Sequence, residues 1–182
     1  MSFEALWYKT NLPKNVIDEF VKETNIYDTE LQPGTLKNDA TDLSTRNSKI
    51  GWVNSSHWIA GFCYHYILQA NECNFNYDIK SFGDKFLQYT SYSTGEYYDW
   101  HVDTIRNSDS IRKLSFTLQL SDPEDYSGGE LQFLDEGDQL FFAPKERGTI
   151  IVFESKLKHR VRKVRSGCRK SLVGWVEGPR WR

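Results

Sequence analysis

Apolar residues in the first part of the chain recur at helical spacing. In Lys14–Glu23 they fall three or four positions apart, which predicts an amphipathic helix, and Asn11 ahead of Pro13 is a candidate cap. Most positions of Trp58–Ala70 are apolar, which predicts a largely buried helix. We expect residues 1–84 to form a mixed, partly helical region that supports one sheet.

From residue 85 onward, short runs rich in β-branched and aromatic residues are separated by Gly, Pro, Ser and Asp turn signals. The predicted strands are Phe86–Tyr92, Tyr97–Asp103, Ile111–Leu120, Glu130–Leu134, Gln139–Ala143, Thr149–Glu154, Lys156–Val164 and Arg169–Val176. No helical pattern interrupts them, and a jelly roll of two facing sheets limits the exposed edges of such a set. The pattern predicts a mainly β fold with N-terminal helices, whose jelly-roll core spans residues 85–178 of a single domain, residues 1–182.

The charge distribution narrows the range of partners. A net charge of −2 gives no general reason to expect a nucleic acid or an anionic membrane as partner. The chain is nevertheless basic from Lys156 onward and acidic in Ser121–Asp138, so the C-terminal end is expected to attract an anion. The sequence leaves open both the role of this basic strip and the oligomeric state.

Cysteine spacing and hydropathy indicate the cellular compartment to expect for this protein. The three cysteines show no CxxC spacing, which argues against a zinc ribbon and against a secreted disulfide framework. The N-terminus lacks the apolar block of a signal peptide, and no stretch approaches the roughly twenty apolar residues of a membrane span. We therefore expect a cytoplasmic protein.

Two segments suggest a metal site. If the segment YYDWHVDTIR is extended, His101 and Asp103 point to the same face. In Lys156–Val164 cationic and apolar residues alternate, and because unpaired charges are costly to bury, His159 is expected to point inward. Two imidazoles and one carboxylate can hold non-heme Fe(II) and leave coordination positions open. The same pattern allows a hydrogen-bonded pair at a hairpin end and an ordinary core histidine.

The last predicted strand carries a further polar group. Arg169 shares one face with Ser171 and Trp175, and the pattern alone allows either face to be the interior one. If Arg169 points inward, its guanidinium needs an anion as partner, and a carboxylate fits it through two parallel hydrogen bonds.

Four blocks of the sequence cover about half of the chain: LQYTSYSTGEYYDWHVDT, RKLSFTLQLSDPEDYSGGELQF, GTIIVFESKLKHRV and GCRKSLVGWVEGP. In their order and separation they resemble the Fe(II)/2-oxoglutarate-dependent dioxygenases. Within that group the resemblance is to the prolyl 4-hydroxylase-like branch, which includes the PKHD-type hydroxylases. It implies a double-stranded β-helix, the cupin-like form of the jelly roll.

The resemblance also implies roles for individual residues. His101, Asp103 and His159 would be the iron ligands. Arg169 falls where this family has an arginine that binds the far carboxylate of 2-oxoglutarate. Tyr89 matches a tyrosine whose hydroxyl helps to hold the same carboxylate, and Ser171 is a further candidate because it shares a face with Arg169.

The activity that the resemblance implies is hydroxylation of a prolyl residue in a peptide or protein, with succinate and CO2 as co-products. It would require Fe(II), 2-oxoglutarate and O2, and the sequence leaves open whether ascorbate is also needed. Three alternatives stay open: the same chemistry on a free amino acid or a methylated nucleobase, a metal-binding jelly roll without turnover, and a structural domain with a coincidental triad. The substrate and the hydroxylated carbon are not determined by the sequence.

Overall fold

The computed structural model describes residues 5–36, 42–83, 86–104 and 110–180 of the chain. The predicted boundary between residues 84 and 85 lies outside these ranges. Two α-helices are present, α1 (Lys14–Asn25) and α2 (Trp58–Ala70), and both lie where helices were predicted. Across the described ranges, no helix combines the length and the apolar character that crossing a membrane requires.

Helix α1 begins directly after Pro13, which takes the N-cap position and makes no side-chain capping bond. The prediction that Asn11 caps this helix is wrong. Asn11 lies two residues before the cap, has a left-handed φ of 61° and donates a hydrogen bond to the Thr10 hydroxyl at 3.2 Å. The fixed φ of proline suits the start of a helix, so Pro13 sets the entry of the chain here.

The strands form two antiparallel sheets. In chain order they are β1 (Leu6–Lys9), β2 (Gln32–Pro33), β3 (Arg46–Asn47), β4 (Lys49–Asn54), β5 (Ser81–Phe82), β6 (Phe86–Ser93), β7 (Tyr97–His101), β8 (Ser110–Gln119), β9 (Tyr126–Gly128), β10 (Leu131–Leu134), β11 (Leu140–Phe142), β12 (Ile150–Glu154), β13 (Lys158–Val161) and β14 (Val164–Pro179). The larger sheet has the order β1-β12-β8-β14-β6-β4-β2, with β5 and β9 also paired to β14, and the smaller has the order β11-β10-β13-β7-β3.

Each face of the larger sheet packs against a different layer. On one face, Phe116 and Leu172 belong to a buried cluster with Phe20 of α1 and Ile59 of α2. On the other face, a second cluster joins Phe153 of the larger sheet to residues of the smaller sheet such as Phe133. The helices therefore cover the outside of the larger sheet, and the space between the two sheets is left for the site.

The jelly-roll core is confirmed, but several strands differ from the predicted ones: β9 was not predicted, and β7 and β13 are shorter than Tyr97–Asp103 and Lys156–Val164. The region before residue 85 also contributes strands, and four of them, β1, β2, β4 and β5, extend the larger sheet. Strands β2, β3 and β5 have two residues each, too few for an alternating pattern to be visible in the sequence. Strand β14 is longer than Arg169–Val176 because its two ends pair with β9 and β5 as well as with β8.

Gly174 on β14 should be intolerant of a side chain. A Cβ atom there would lie 2.4 Å from Phe116 Cε1 and 2.8 Å from Leu87 Cδ2, two side chains of the core. We expect Gly174→Ala to lower the free energy of unfolding by about 1–3 kcal/mol, because extra volume in a packed core forces its neighbours to move. Urea unfolding followed by circular dichroism measures this change.

Gly61 provides the matched control, because a Cβ atom there would meet nothing within 4 Å and the residue is exposed near the start of α2. Gly61→Ala should raise the free energy of unfolding by about 0.5–1 kcal/mol through the higher helix propensity of alanine. Equal stability of the Gly174→Ala protein and the wild type would contradict the close packing at β14.

Candidate iron and co-substrate site

A cavity of about 230 Å³ lies between the two sheets. Its lining includes five of the six residues predicted for the site: His101, Asp103, His159, Arg169 and Ser171. These residues come from β7, the segment after it, β13 and β14. The inner face of the larger sheet is polar at this end, because Ser115, Thr117 and Gln119 of β8 alternate with apolar residues that face the helices.

The pairing of β7 with β13 brings the two histidines together. His101 and His159 are directly opposite each other in the antiparallel register, and their ring centroids are 4.1 Å apart. Asp103 follows β7, and its backbone N–H donates to the Ser155 carbonyl at 2.8 Å, which ties this segment to the turn before β13.

The carboxylate of Asp103 lies between the two imidazoles. Its Oδ1 is 3.8 Å from His101 Nε2, and its Oδ2 is 3.5 Å from His159 Nε2. One donor atom from each of the three residues lies within 4.8 Å of the others. Three side chains from two distant segments of the chain therefore converge on one point.

Both histidine rings are oriented by hydrogen bonds to the backbone. His101 Nδ1 lies 2.7 Å from the Asp99 carbonyl oxygen, and His159 Nδ1 lies 2.9 Å from that of Leu157. A carbonyl only accepts, so each Nδ1 carries the proton and each Nε2 keeps a free lone pair. A backbone or carboxylate acceptor behind the ring is the usual arrangement for a histidine that binds a metal.

The electrostatics of the triad favour a neutral His101 beside an anionic carboxylate. Burial, reinforced by the nearby His159, lowers the pKa of His101 to about 3, so this ring is neutral near pH 7. Burial alone would raise the pKa of Asp103, but the two histidines and side-chain hydrogen bonds together more than offset it, so the net shift of that pKa is downward. Two neutral nitrogen donors and one anionic oxygen fit Fe(II) and leave part of its coordination sphere open.

Aromatic rings hold the two imidazoles in place. The Tyr98 ring stacks on His101, with the centroids 3.5 Å apart and the planes at 12°. Phe153 packs edge-on against His159 at 4.8 Å, and Phe133 lies 5.9 Å from the same ring. Packed rings leave the imidazoles few alternative rotamers, which keeps the donor atoms close to one arrangement.

Arg169 is buried in the same cavity. Its exposed fraction is 3%, its Nη1 donates to the Ser171 hydroxyl at 3.3 Å, and its Cζ lies 5.7 Å from the centroid of the Tyr92 ring. Within the described ranges, no carboxylate forms an ion pair with it. A buried guanidinium without a counter-charge is costly, so this position is suited to an anionic ligand.

Tyr89, the sixth residue predicted for the site, does not line this cavity. Tyr89 is opposite Leu172 in the sheet, packs into the core beneath the helices and donates its hydroxyl to Asp28 at 2.8 Å. Tyr92, three residues later and therefore on the other face of β6, is opposite Arg169 and lines the cavity. The apolar Leu87, on the same face as Tyr89, was the signal in the sequence that this face belongs to the core.

The sequence analysis also missed residues that the N-terminal region contributes to the cavity wall. Arg46 of β3 lines the cavity, and so does Trp52 of β4. No pattern in the sequence indicated them, because β3 is two residues long and both strands find their partners far along the chain.

The sequence of the strands that form this site is similar to a known protein family. Residues 87–177, half of the chain, match the model of the 2OG-Fe(II) oxygenase superfamily. A PKHD-type hydroxylase of Synechococcus sp. (strain CC9902) is 45% identical over 84 residues, which are 46% of this chain and 37% of that protein. A PKHD-type hydroxylase of Rippkaea orientalis is 39% identical over 95 residues, 50% of this chain and 42% of that protein. The match thus spans less than half the length of each relative.

Solved structures share the fold over nearly the whole chain. A Pseudomonas putida prolyl-4-hydroxylase has a TM-score of 0.76 at 21% identity, covering 97% of this chain and 94% of that one. A Trichoplax adhaerens prolyl hydroxylase, solved with a hypoxia inducible factor peptide fragment, has a TM-score of 0.79 at 17% identity, covering 96% and 84%. Together with the match over residues 87–177, these findings show that the chain belongs to the 2OG-Fe(II) oxygenase superfamily.

Proposed function

We propose that this chain is one catalytic domain, an Fe(II)- and 2-oxoglutarate-dependent dioxygenase that hydroxylates a prolyl residue of a peptide or protein. The observation that carries the proposal is the convergence of His101, Asp103 and His159 beside a buried arginine in one cavity. His101 Nε2, His159 Nε2 and an Asp103 oxygen would hold Fe(II). When bound, the metal, 2-oxoglutarate and O2 would supply the oxidation of a substrate C–H bond to an alcohol, with succinate and CO2 as co-products.

The protein's own residues would bind and orient the co-substrate. Arg169 would form two parallel hydrogen bonds to the carboxylate of 2-oxoglutarate that is remote from the metal, and Ser171 helps to fix the guanidinium. Burial raises the pKa of Tyr92, so its hydroxyl keeps its proton and can donate to the same carboxylate. Tyr92 takes the role first predicted for Tyr89.

Two observations support a prolyl residue as the substrate. The relatives named above include prolyl hydroxylases, one of them solved with a peptide. The cavity also has aromatic walls from Tyr98, Trp175 and Trp52, and Trp52 is 46% exposed, which places it at the rim. Flat aromatic faces suit the apolar ring of proline.

A second candidate is the same reaction on a free amino acid. The observation that favours it is the set of cationic side chains in the cavity wall: its described lining residues include the guanidinium groups of Arg46, Arg112 and Arg169 and one carboxylate, that of Asp103. Succinate release measured against peptide, amino-acid and oligonucleotide panels, with and without ascorbate, distinguishes these substrates.

The metal triad should be needed for both metal binding and turnover. We expect the wild type to bind one Mn(II) and to decarboxylate 2-oxoglutarate slowly in the presence of Fe(II) without a primary substrate. His101→Ala and Asp103→Ala should each weaken Mn(II) binding by roughly 10–100-fold or more, since each removes a ligand. Calorimetric titration with Mn(II) and a succinate assay measure the two effects.

His65→Ala is the control for these variants, because His65 is an exposed histidine on α2, outside the cavity. It should bind Mn(II) like the wild type. Decarboxylation that persists in Asp103→Ala would overturn the proposed ligand set, and binding of Mn(II) without any decarboxylation would favour a metal-binding module.

The two tyrosines of β6 should differ in their effect on the co-substrate. Tyr92→Phe removes one hydrogen bond to a charged ligand, so the KM for 2-oxoglutarate should rise roughly tenfold or more. Tyr89→Phe should leave this KM unchanged and lower the Tm, because it loses only the bond to Asp28. Uncoupled decarboxylation at varied 2-oxoglutarate gives the KM values, and the opposite ranking would return the role to Tyr89.

A further inference from the structure

Arg46 is a buried cation that the proposed reaction does not use. Its exposed fraction is 5%, and it lines the same cavity as the metal triad. Its Nε donates to the Ser48 hydroxyl at 2.9 Å, and its Nη1 donates to the Thr35 carbonyl at 2.9 Å. Its Nη2 is buried without a hydrogen-bond partner, and no carboxylate of the described residues lies within ion-pair distance of the guanidinium.

The surroundings of Arg46 are built to hold a guanidinium. A Cβ atom on Gly34 would lie 2.6 Å from Arg46 Nε and 2.5 Å from Ser48 Oγ, so this space exists only because residue 34 is a glycine. On another side, Arg46 Cζ lies 4.6 Å from the centroid of the Tyr98 ring. These contacts fix the orientation of the planar group before any ligand arrives, which lowers the entropy cost of binding.

Tyr98 connects Arg46 to the metal triad. The same ring that contacts the guanidinium stacks on His101 at 3.5 Å. The guanidinium thus lies one aromatic ring away from a proposed iron ligand, in the wall of the same cavity. Arg169 is on a different strand, β14 in the larger sheet, whereas Arg46 is on β3 in the smaller sheet.

A buried guanidinium whose contacts among the described residues are all neutral is expensive, because those contacts replace only part of its hydration. A carboxylate would supply a negative counter-charge for the Arg46 guanidinium and a hydrogen-bond acceptor for Nη2. Iron as Fe(II) and 2-oxoglutarate as a dianion cancel each other in charge, so their binding supplies no counter-charge for Arg46. An anionic group of the primary substrate would supply it.

We propose that Arg46 binds a carboxylate of the primary substrate, so that the molecule hydroxylated is an acid. This inference rests on the proposed dioxygenase function and names the chemistry of its substrate. The carboxylate has two sources that the test separates, a free amino acid and the C-terminal residue of a peptide.

The size of the cavity favours a carboxylate close to the hydroxylated carbon. A volume of about 230 Å³ is small for a co-substrate together with the reacting part of a substrate. A carboxylate on the reacting residue itself satisfies Arg46 within this space. An acidic side chain on a neighbouring residue of a longer peptide would need more room.

The test compares ligands that differ only in this charge. The first pair of probes is a short peptide with a C-terminal proline and the same peptide as its C-terminal amide. Free L-proline and a panel of N-acetylated amino acids represent single amino acids. A peptide with an internal Pro-Asp pair and its Pro-Asn counterpart test an acidic side chain on a neighbouring residue. Binding to the protein loaded with Mn(II) and 2-oxoglutarate is measured by calorimetry without O2. We expect the free-acid peptide or the free amino acid to bind roughly tenfold or more tightly than the amide.

Three variants connect this preference to Arg46. In Arg46→Gln the ratio of acid to amide affinity should fall to about one, while the affinities for Mn(II) and 2-oxoglutarate stay at the wild-type values and show that the protein is folded. Gly34→Ala displaces the guanidinium without removing its charge and should lower the ratio in the same direction. Arg160→Gln is the matched control, because Arg160 lies 4.5 Å from the Trp100 ring but outside the cavity, and it should keep the full ratio.

Equal affinity of the wild type for acid and amide, a preference that survives in Arg46→Gln, or no binding by any carboxylate probe would each overturn the inference. A preference only for the Pro-Asp peptide would keep Arg46 as the carboxylate site and overturn the placement on the reacting residue. Because these measurements need no turnover, they are independent of the proposed activity, which fails if the wild type with Fe(II) does not decarboxylate 2-oxoglutarate.

Discussion

Antiparallel pairing of β7 with β13 sets His101 directly opposite His159, and the rest of the site is arranged around this pair. The register has to be correct to the residue, because a slip by one position would turn one imidazole to the outer face of the smaller sheet. The hydrogen bond from the Asp103 N–H to the Ser155 carbonyl then brings the carboxylate back towards the two rings. Three donors from two segments of the chain are thus fixed by backbone hydrogen bonds and not by flexible side chains alone.

The larger sheet supports this arrangement because its outer face is apolar and its inner face is polar beside the cavity. Residues such as Phe116 and Leu172 bury the outer face against the helices, and this contact gives the sheet its stability. The inner face can therefore carry buried polar residues, among them Ser171, Thr117 and Arg169, without loss of the core. A fold with a separate hydrophobic layer can tolerate the cost of polar groups in its site.

The N-terminal region does more than cover the sheet. Arg46 and Trp52 belong to strands that join the two sheets at the edge of the cavity, and both contribute to its wall. The β strands that follow supply the proposed metal and co-substrate residues, while the N-terminal strands supply residues at the position where a substrate would enter. The cavity wall is thus built from both parts of the chain, since Tyr98 and Trp175 of the core strands line it together with Arg46 and Trp52.

Several features of this protein could be predicted from the sequence because they depend on local patterns. The alternation of cationic and apolar residues in β13 predicted that His159 points inward. The HxD spacing predicted that His101 and Asp103 lie on one side, and turn signals separated the strands of the core. The face of Tyr89 and the position of Arg46 in the cavity wall depended on tertiary structure. Which face of β6 is the core is decided by the helices that pack on it, and β3 exists only through its pairing with β7, a contact between distant segments that leaves no periodic trace in the sequence.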